Sequence, residues 1–233
     1  MSGQKFKPIW EQAGLFCDDF WTWDCNNRSY DVILDGTNNH RALFHRYFST
    51  NTAGVRGTRI LNNGRFFWEL EVLESRGTSI MIGIGTENTV LHQNTFGHLL
   101  GQDDQSWGLS HHGLIFHKGI CARYCGRFHP EVPTIIGVLF DGKSGTLSYY
   151  KNWKPLGVAF RGLNSVKEPL YPIISSTAAK TRMVLLQRKR EFFNLQDRCR
   201  ASIVERLNFK EDVNQLRIPS TLKAFLCESM ENR

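Results

Sequence analysis

His117, Cys121, Cys125 and His129 recur every fourth residue, and both residue types ligate zinc. On a helix that spacing would line one face. Here HKGICARYCGRFHP (117–130) carries Gly119, Gly126 and Pro130, reads as a strand end and a loop, and lacks the closely paired cysteines of structural zinc sites. No metal site is expected. Glu69 and Glu71 stand two apart and share one strand face, as the carboxylates of some β-sandwich glycosidases do. No third acidic group sits at a matching position, and the same alternation describes the wet face of a half-buried strand. The serines show no G-x-S-x-G elbow, and GIGTEN (83–88) lacks the lysine and spacing of a phosphate loop. Neither catalysis nor a cofactor is indicated. What stands out is aromatic: HRYFSTNTAG (45–54) places Tyr47 and Phe48 in a polar, turn-rich segment, and NTFGHLLG (94–101) does the same with Phe96, Leu99 and Leu100. Such loop residues either form a binding surface or fold back as plugs over the core.

Short strands must position these loops. Tyr30–Leu34 ends at Asp35-Gly36, and RFFWELEV (65–72) alternates with a period of two, which predicts a strand with one buried face. SIMIGIGT (79–86) reads as a central strand, TIIGVLFD (134–141) and TLSYYKN (146–152) as a hairpin turned at GKSG, and LYPIISS (170–176) and TRMVLLQ (181–187) as two more strands. Many short strands with 20 glycines predict an antiparallel β-sandwich. After Gln187 the pattern turns helical. Leu195, Cys199, Ile203 and Leu207 form a stripe behind a capping Asn194, and Pro219 opens a second helix carrying Leu222, Phe225, Leu226 and Met230. So few helical residues are not expected to enclose a core alone; their stripes need the sandwich or another protein.

At 233 residues the chain buries roughly 70% of its extended surface on folding and needs neither disulfides nor metal. Six scattered cysteines (Cys17, Cys25, Cys121, Cys125, Cys199, Cys227), and an opening MSGQKFKPIWEQ without the apolar core of an export signal, place it in the reducing cytoplasm or nucleus. No apolar run reaches a membrane span. The net charge of +7 is uneven: residues 180–233 hold 12 Lys and Arg against 7 Asp and Glu. The nearly neutral main body argues against a nucleic-acid binder, and the cluster Arg182, Arg188, Lys189 and Arg190 reads as a solvated junction.

VILDG (32–36), FFWELEV (66–72), SWGL (106–109) and GVLFDGKSGTLSYYKN (137–152) resemble, in order, the signature segments of a SPRY domain. GVRGT (54–58), GVAFRGL (157–163) and YPIIS (171–175) narrow the likeness, and NLQDRCRASI with LRIPSTLKAFL resembles a SOCS box. Together they resemble the SPRY domain-containing SOCS box family over essentially the whole chain, with YPIISSTAAK most like a divergent third paralogue type.

The resemblance implies a SPRY-like β-sandwich with an N-terminal extension over 1–187 and an α-helical SOCS box over 188–233. In this family the box holds elongin B/C and a cullin, and the SPRY domain holds a substrate for ubiquitination and proteasomal degradation. The elongin pattern is met by Leu195, Cys199 and Ile203, a helix-in-groove contact. The cullin-selecting Leu-Pro-aliphatic-Pro is met by Leu216, Ile218 and Pro219, with Arg217 in place of the first proline. Family members grip a short Asn-rich peptide with an arginine, proline and alanine, then a tyrosine and leucine, then a Trp-Gly. The corresponding positions here are His45, Tyr47 and Ser49, then Phe96 and Leu99, then Ala178-Ala179 beside Thr177, with Tyr47 or Phe48 standing in for the lost tryptophan. The same site with a different peptide preference is expected.

The reading is a non-catalytic adaptor that joins a substrate's short linear segment to elongin B/C and a cullin-RING ligase. Its rivals are a SPRY scaffold or signalling module whose box is only a folding cap, a sugar-binding or sugar-hydrolysing sandwich, and a protein with weak nucleic-acid contact through the basic junction.

Overall fold

The computed structural model describes residues 16–35, 38–73, 76–207 and 209–230. The first fifteen residues of the expected extension, and Gly36 of the Asp35-Gly36 turn, lie outside the described residues. Two compact units divide the chain: Trp21–Arg188, and Lys189–Arg233 together with Met1–Phe20.

The strands in chain order are β1 (Phe16–Asp18), β2 (Trp23–Arg28), β3 (Val32–Leu34), β4 (Arg41–Phe44), β5 (Thr52–Gly57), β6 (Arg65–Val72), β7 (Ile80–Thr86) and β8 (His92–Gln93). They continue as β9 (Ser106–Ser110), β10 (Leu114–His117), β11 (Ile120–Arg123), β12 (Thr134–Asp141), β13 (Thr146–Lys151), β14 (Lys154–Phe160), β15 (Leu170–Ser176) and β16 (Arg182–Glu191). In the larger unit one sheet runs β14-β13-β12-β6-β16-β4-β3 and the other β11-β10-β9-β7-β15-β5-β2, with β8 added beside β5. The expected antiparallel sandwich is what forms. Trp23, Phe44, Trp68, Ile82 and Tyr149 are buried between the sheets, and the Tyr149 hydroxyl donates across the core to the Ile82 carbonyl at 3.1 Å.

The expected strand at 65–72 forms over those residues, but not with one wet face. Phe67 and Glu69 are buried as fully as Trp68 and Leu70. A segment distant in sequence covers that face: the Phe67 ring meets Tyr150 edge-on at 6.0 Å. Gly137, opposite Glu69 on β12, makes room, since a Cβ there would lie 3.0 Å from the Phe67 ring. HKGICAR is likewise more ordered than a strand end and loop. It is the β10–β11 hairpin, turning at Lys118 and Gly119, both at positive φ as a two-residue I′ turn requires. Among the described residues no three His, Cys, Asp or Glu side chains gather around a point where a metal could bind.

In the smaller unit β1 pairs with the end of β16, Phe16 opposite Glu191, and three helices follow: α1 (Leu195–Val204), α2 (Asp212–Gln215) and α3 (Ser220–Met230). Asn194 caps α1 as expected, its side chain accepting the Asp197 N–H at 2.8 Å. Pro219 stands at the entry of α3, where its carbonyl accepts the Leu222 and Lys223 N–H groups. Two expectations are corrected. Leu207 falls beyond α1 rather than on its stripe, and the helices do enclose a small core of their own. Val204, Val213 and Leu226 are buried together, with Leu207, Leu216 and Ile218 packed on them.

The basic junction is not simply solvated. Arg188 donates to the Trp21 carbonyl at 3.0 Å and to the His40 ring, Lys189 pairs with Asp18 at 2.6 Å, and Arg190 pairs with Asp197. Half-buried cations need such partners. No helix among the described residues is long and apolar enough to cross a membrane.

Candidate functional site

Sheet pairing gathers the loops that the sequence singles out. Ser176 at the end of β15 pairs with Ala53 of β5, and Thr52 pairs with Gln93 of β8. The segments 45–51, 94–99 and 177–181 therefore emerge side by side.

The first loop is tied at its base. His45 takes a left-handed φ of 49°, its N–H donates to the Asp31 carbonyl and its carbonyl accepts the Lys180 N–H. Its ring is buried, with Nε2 3.0 Å from the Ser176 carbonyl and Nδ1 4.0 Å from the Asp31 carboxylate. Asn51 donates to the same carboxylate at 2.6 Å, and the Ser49 hydroxyl to the Asn51 carbonyl at 3.1 Å. Above this base Tyr47 and Phe48 stand 71% and 76% exposed, with the Arg46 guanidinium 5.3 Å from the Tyr47 ring centre.

Thr52 holds the second loop, donating to the Thr95 carbonyl at 2.7 Å and accepting the Gly97 N–H at 3.1 Å. Phe96, between those anchors, is 52% exposed. Leu99 is buried with Met81, Leu100, Phe116 and Ile173. In the third segment the Thr177 hydroxyl accepts the Ser79 N–H at 2.8 Å and donates to the Ser79 carbonyl at 3.1 Å, leaving Ala178 half-buried.

The eight residues carried over by resemblance thus divide. Tyr47, Phe48 and Phe96 face solvent, Ser49 and Ala178 are half-buried, and His45, Leu99 and Thr177 are buried where they hold the segments in place. The plug reading holds for Leu99 and Leu100, which are buried in a small core, while Tyr47, Phe48 and Phe96 stay outside. Sequence reasoning missed Tyr30. It is exposed in the turn before β3, its hydroxyl 2.8 Å from His92 Nε2 and its ring 4.3 Å from the imidazole. A tyrosine among Arg28, Ser29 and Asp31 is the same aromatic-in-a-polar-turn signal as Tyr47.

Histidines lie beneath the third segment. Ser79 Oγ is 2.8 Å from His98 Nδ1, and His111 Nδ1 accepts the Ile80 N–H at 3.1 Å with its ring 3.9 Å from that of His112. Burial, then the neighbouring His112, pushes the His111 pKa down to about 4. The His98 pKa is lowered by the same two causes.

In the smaller unit the residues of α1 take opposite sides. Asp197 is buried, receiving Arg190 at 3.0 Å through Oδ1 and again through Oδ2, the Phe193 N–H at 3.2 Å and Arg200 at 3.2 Å. The hydrogen bond from Arg190 leads in holding its pKa down at about 2. Leu195 is 75% exposed, and Cys199 and Ile203 are exposed with it. Of the second set, Leu216 and Ile218 pack on the small core while Pro219 is exposed.

The SPRY domain family matches residues 65–188. The chain is 38% identical over 210 residues to SPRY domain-containing SOCS box protein 3 of Xenopus tropicalis, covering 88% of this chain and 57% of that protein. It is 30% identical over 220 residues to human SPRY domain-containing SOCS box protein 1, covering 88% and 79%, and 30% identical over 224 residues to Protein gustavus of Drosophila melanogaster, covering 88% and 78%. The chain thus spans less than three fifths of the length of its Xenopus relatives. Among solved structures the TRIM65 PSpry domain aligns with a TM-score of 0.57 at 19% identity, covering 72% of this chain and 90% of that one. The SPRY domain of human HERC1 aligns at 0.56 and 13%, covering 71% and 97%; these two likenesses speak for the fold alone. A SPRY match over more than half of the chain, and relatives 30% to 38% identical over 88% of it, place this chain in the SPRY domain-containing SOCS box family.

Proposed function

We propose that this protein is a substrate-recognition adaptor of a cullin-RING ubiquitin ligase, working by proximity and not by catalysis. The smaller unit would bind elongin B/C through Leu195, Cys199 and Ile203 and a cullin through the Leu216–Pro219 segment. The loop cluster bearing Tyr47, Phe48 and Phe96 would bind a short linear segment of the target. Holding a target lysine beside a charged conjugating enzyme raises its effective concentration, so the adaptor needs no nucleophile. A cytoplasmic or nuclear setting belongs to the same proposal.

The observation that carries the reading is the orientation of α1. Its buried side is tied by Asp197, and an apolar stripe of leucine, cysteine and isoleucine is left in solvent. Burying such a stripe is worth roughly 1.5–3 kcal/mol per large side chain, which an unpartnered helix forgoes. Family membership supports the choice of partner.

Co-expression with elongin B and C followed by size-exclusion chromatography tests it. The wild type should co-elute with both, and the Leu195→Ala/Cys199→Ala variant should not. Failure of the wild type to co-elute would leave a SPRY interaction scaffold whose tail only caps the fold.

A further inference from the structure

The base of the first loop is short of a hydrogen-bond donor. A carbonyl can only accept, so His45 Nε2, 3.0 Å from the Ser176 carbonyl, carries the ring proton. A neutral ring then turns a bare lone pair on Nδ1 towards Asp31 Oδ2, 4.0 Å away. Asn51 gives that carboxylate a hydrogen bond from Nδ2 at 2.6 Å. Among the described residues neither Asn51 Oδ1 nor His45 Nδ1, both buried, meets a donor. Unsatisfied buried acceptors are costly, and a lone pair facing a carboxylate adds repulsion.

Access limits what can relieve this. The His45 ring is buried beneath the loop, so no side chain of a bound target reaches Nδ1. A proton does. Taken up from solvent at Nδ1, it turns an acceptor into a donor and sets a positive charge against Asp31. Closing from 4.0 Å to a charge-assisted hydrogen bond takes a movement of about 1 Å. Asp31 is the charged group that faces the ring. Around it, Tyr30 in the same turn engages His92, Arg46 stacks on Tyr47, and Lys180 and Arg182 are exposed.

That movement has a path to the recognition surface. Asp31 holds Asn51, the Asn51 carbonyl accepts the Ser49 hydroxyl at 3.1 Å, and Ser49 adjoins Phe48. From the other end of the loop, His45 leads directly into Arg46 and Tyr47.

We propose that His45 is a proton-operated latch on this loop: the protonated ring pairs with Asp31 and holds the segment bearing Tyr47 and Phe48 more firmly than the neutral ring does. The latch rests on the reading of the loop cluster as the target site and adds pH as its control, with acid favouring the held loop.

The test uses the full chain with no target present. The imidazole nitrogens of His45, assigned through His45→Asn, are followed by NMR between about pH 5 and pH 8, with circular dichroism checking that the fold persists. Nδ1 should take up a proton within that range, and the backbone amides of Tyr47 and Phe48 should shift with the same midpoint. Asp31→Asn removes the charge and keeps an oxygen acceptor, so it should weaken proton uptake at His45 about tenfold or more, the loop amides moving with it. Asparagine tolerates the left-handed backbone that His45 adopts, so in His45→Asn the loop should persist and its amides lose that titration. A ring still neutral at about pH 5, loop amides that ignore its midpoint or keep it in His45→Asn, or undiminished proton uptake in Asp31→Asn would overturn the latch. Since neither elongin nor a target takes part, a failed latch is told apart from a failed adaptor.

Discussion

Arg190, one residue from the end of β16, clasps Asp197 in the first turn of α1 through both carboxylate oxygens, and the same carboxylate receives Arg200 and the Phe193 N–H. Both partners are nearly buried, so the pair is shielded from the screening that makes surface ion pairs weak. The clasp and the Asn194 cap set which side of α1 faces in.

The clasp has a pH signature. The Asp197 pKa is lowered from 3.8 to about 2, so its contribution is fully present above the ordinary value and is lost as pH falls through about 2. The size is about 2 kcal/mol. Asp197→Asn should lose a similar amount at neutral pH and remove that acid dependence. Hydrogen exchange across residues 194–204 would report it, and unchanged protection would refute the role of the clasp.

Exposure separates binding from stability on α1. Leu195→Ala and Ile203→Ala should change the unfolding free energy by less than about 0.5 kcal/mol while weakening elongin capture about tenfold or more. Leu226→Ala, in the small core, should cost roughly 2–5 kcal/mol of local stability. Denaturant melts beside pull-downs read both effects.

At the loop cluster the same logic divides the candidate residues. Tyr47→Ala and Phe96→Ala should reduce capture of a peptide substrate about tenfold with little change in melting. Leu99→Ala, which opens a cavity beside Met81 and Ile173, should cost roughly 2–5 kcal/mol. Intact capture in the Tyr47→Ala/Phe96→Ala double variant would move the site elsewhere.

His111 is buried in its neutral form, its pKa lowered from 6.5 to about 4. The unfolded chain therefore binds the proton first, and stability falls as pH drops from about 6.5 towards about 4, then levels off. The loss approaches roughly 3 kcal/mol. Asn in place of His111 keeps an acceptor for the Ile80 N–H without the titration, so His111→Asn should flatten that part of the profile. Urea melts between pH 4 and pH 7 decide it.

Much of the fold was legible because strand signals are local. The segments 65–72, 134–141 and 170–176 form strands with the boundaries their periodicity predicts, and Asn194 caps the helix it precedes. The ends of elements were less so: Leu207 continues the helical spacing of its stripe, yet α1 stops at Val204 and the side chain turns into the small core. Of the site, the exposed aromatics at 47, 48 and 96 were readable as hydrophobes among turn residues. Tyr30 carried the same signal and was missed.

The amino-acid order by itself determined the sandwich, the helical tail and the family, because each rests on patterns of a few consecutive residues. Only the tertiary structure decided which of those residues are covered. Phe67 and Glu69 alternate like wet-face residues yet are buried, and Tyr150, about eighty positions away, closes over the Phe67 ring. His45 and Leu99 align with contact positions, but Ser176 and Ile173 draw them inward. Arg190 belongs to a basic run, but Asp197 takes its charge. Burial depends on what the rest of the chain lays across a residue, and local periodicity carries no record of that.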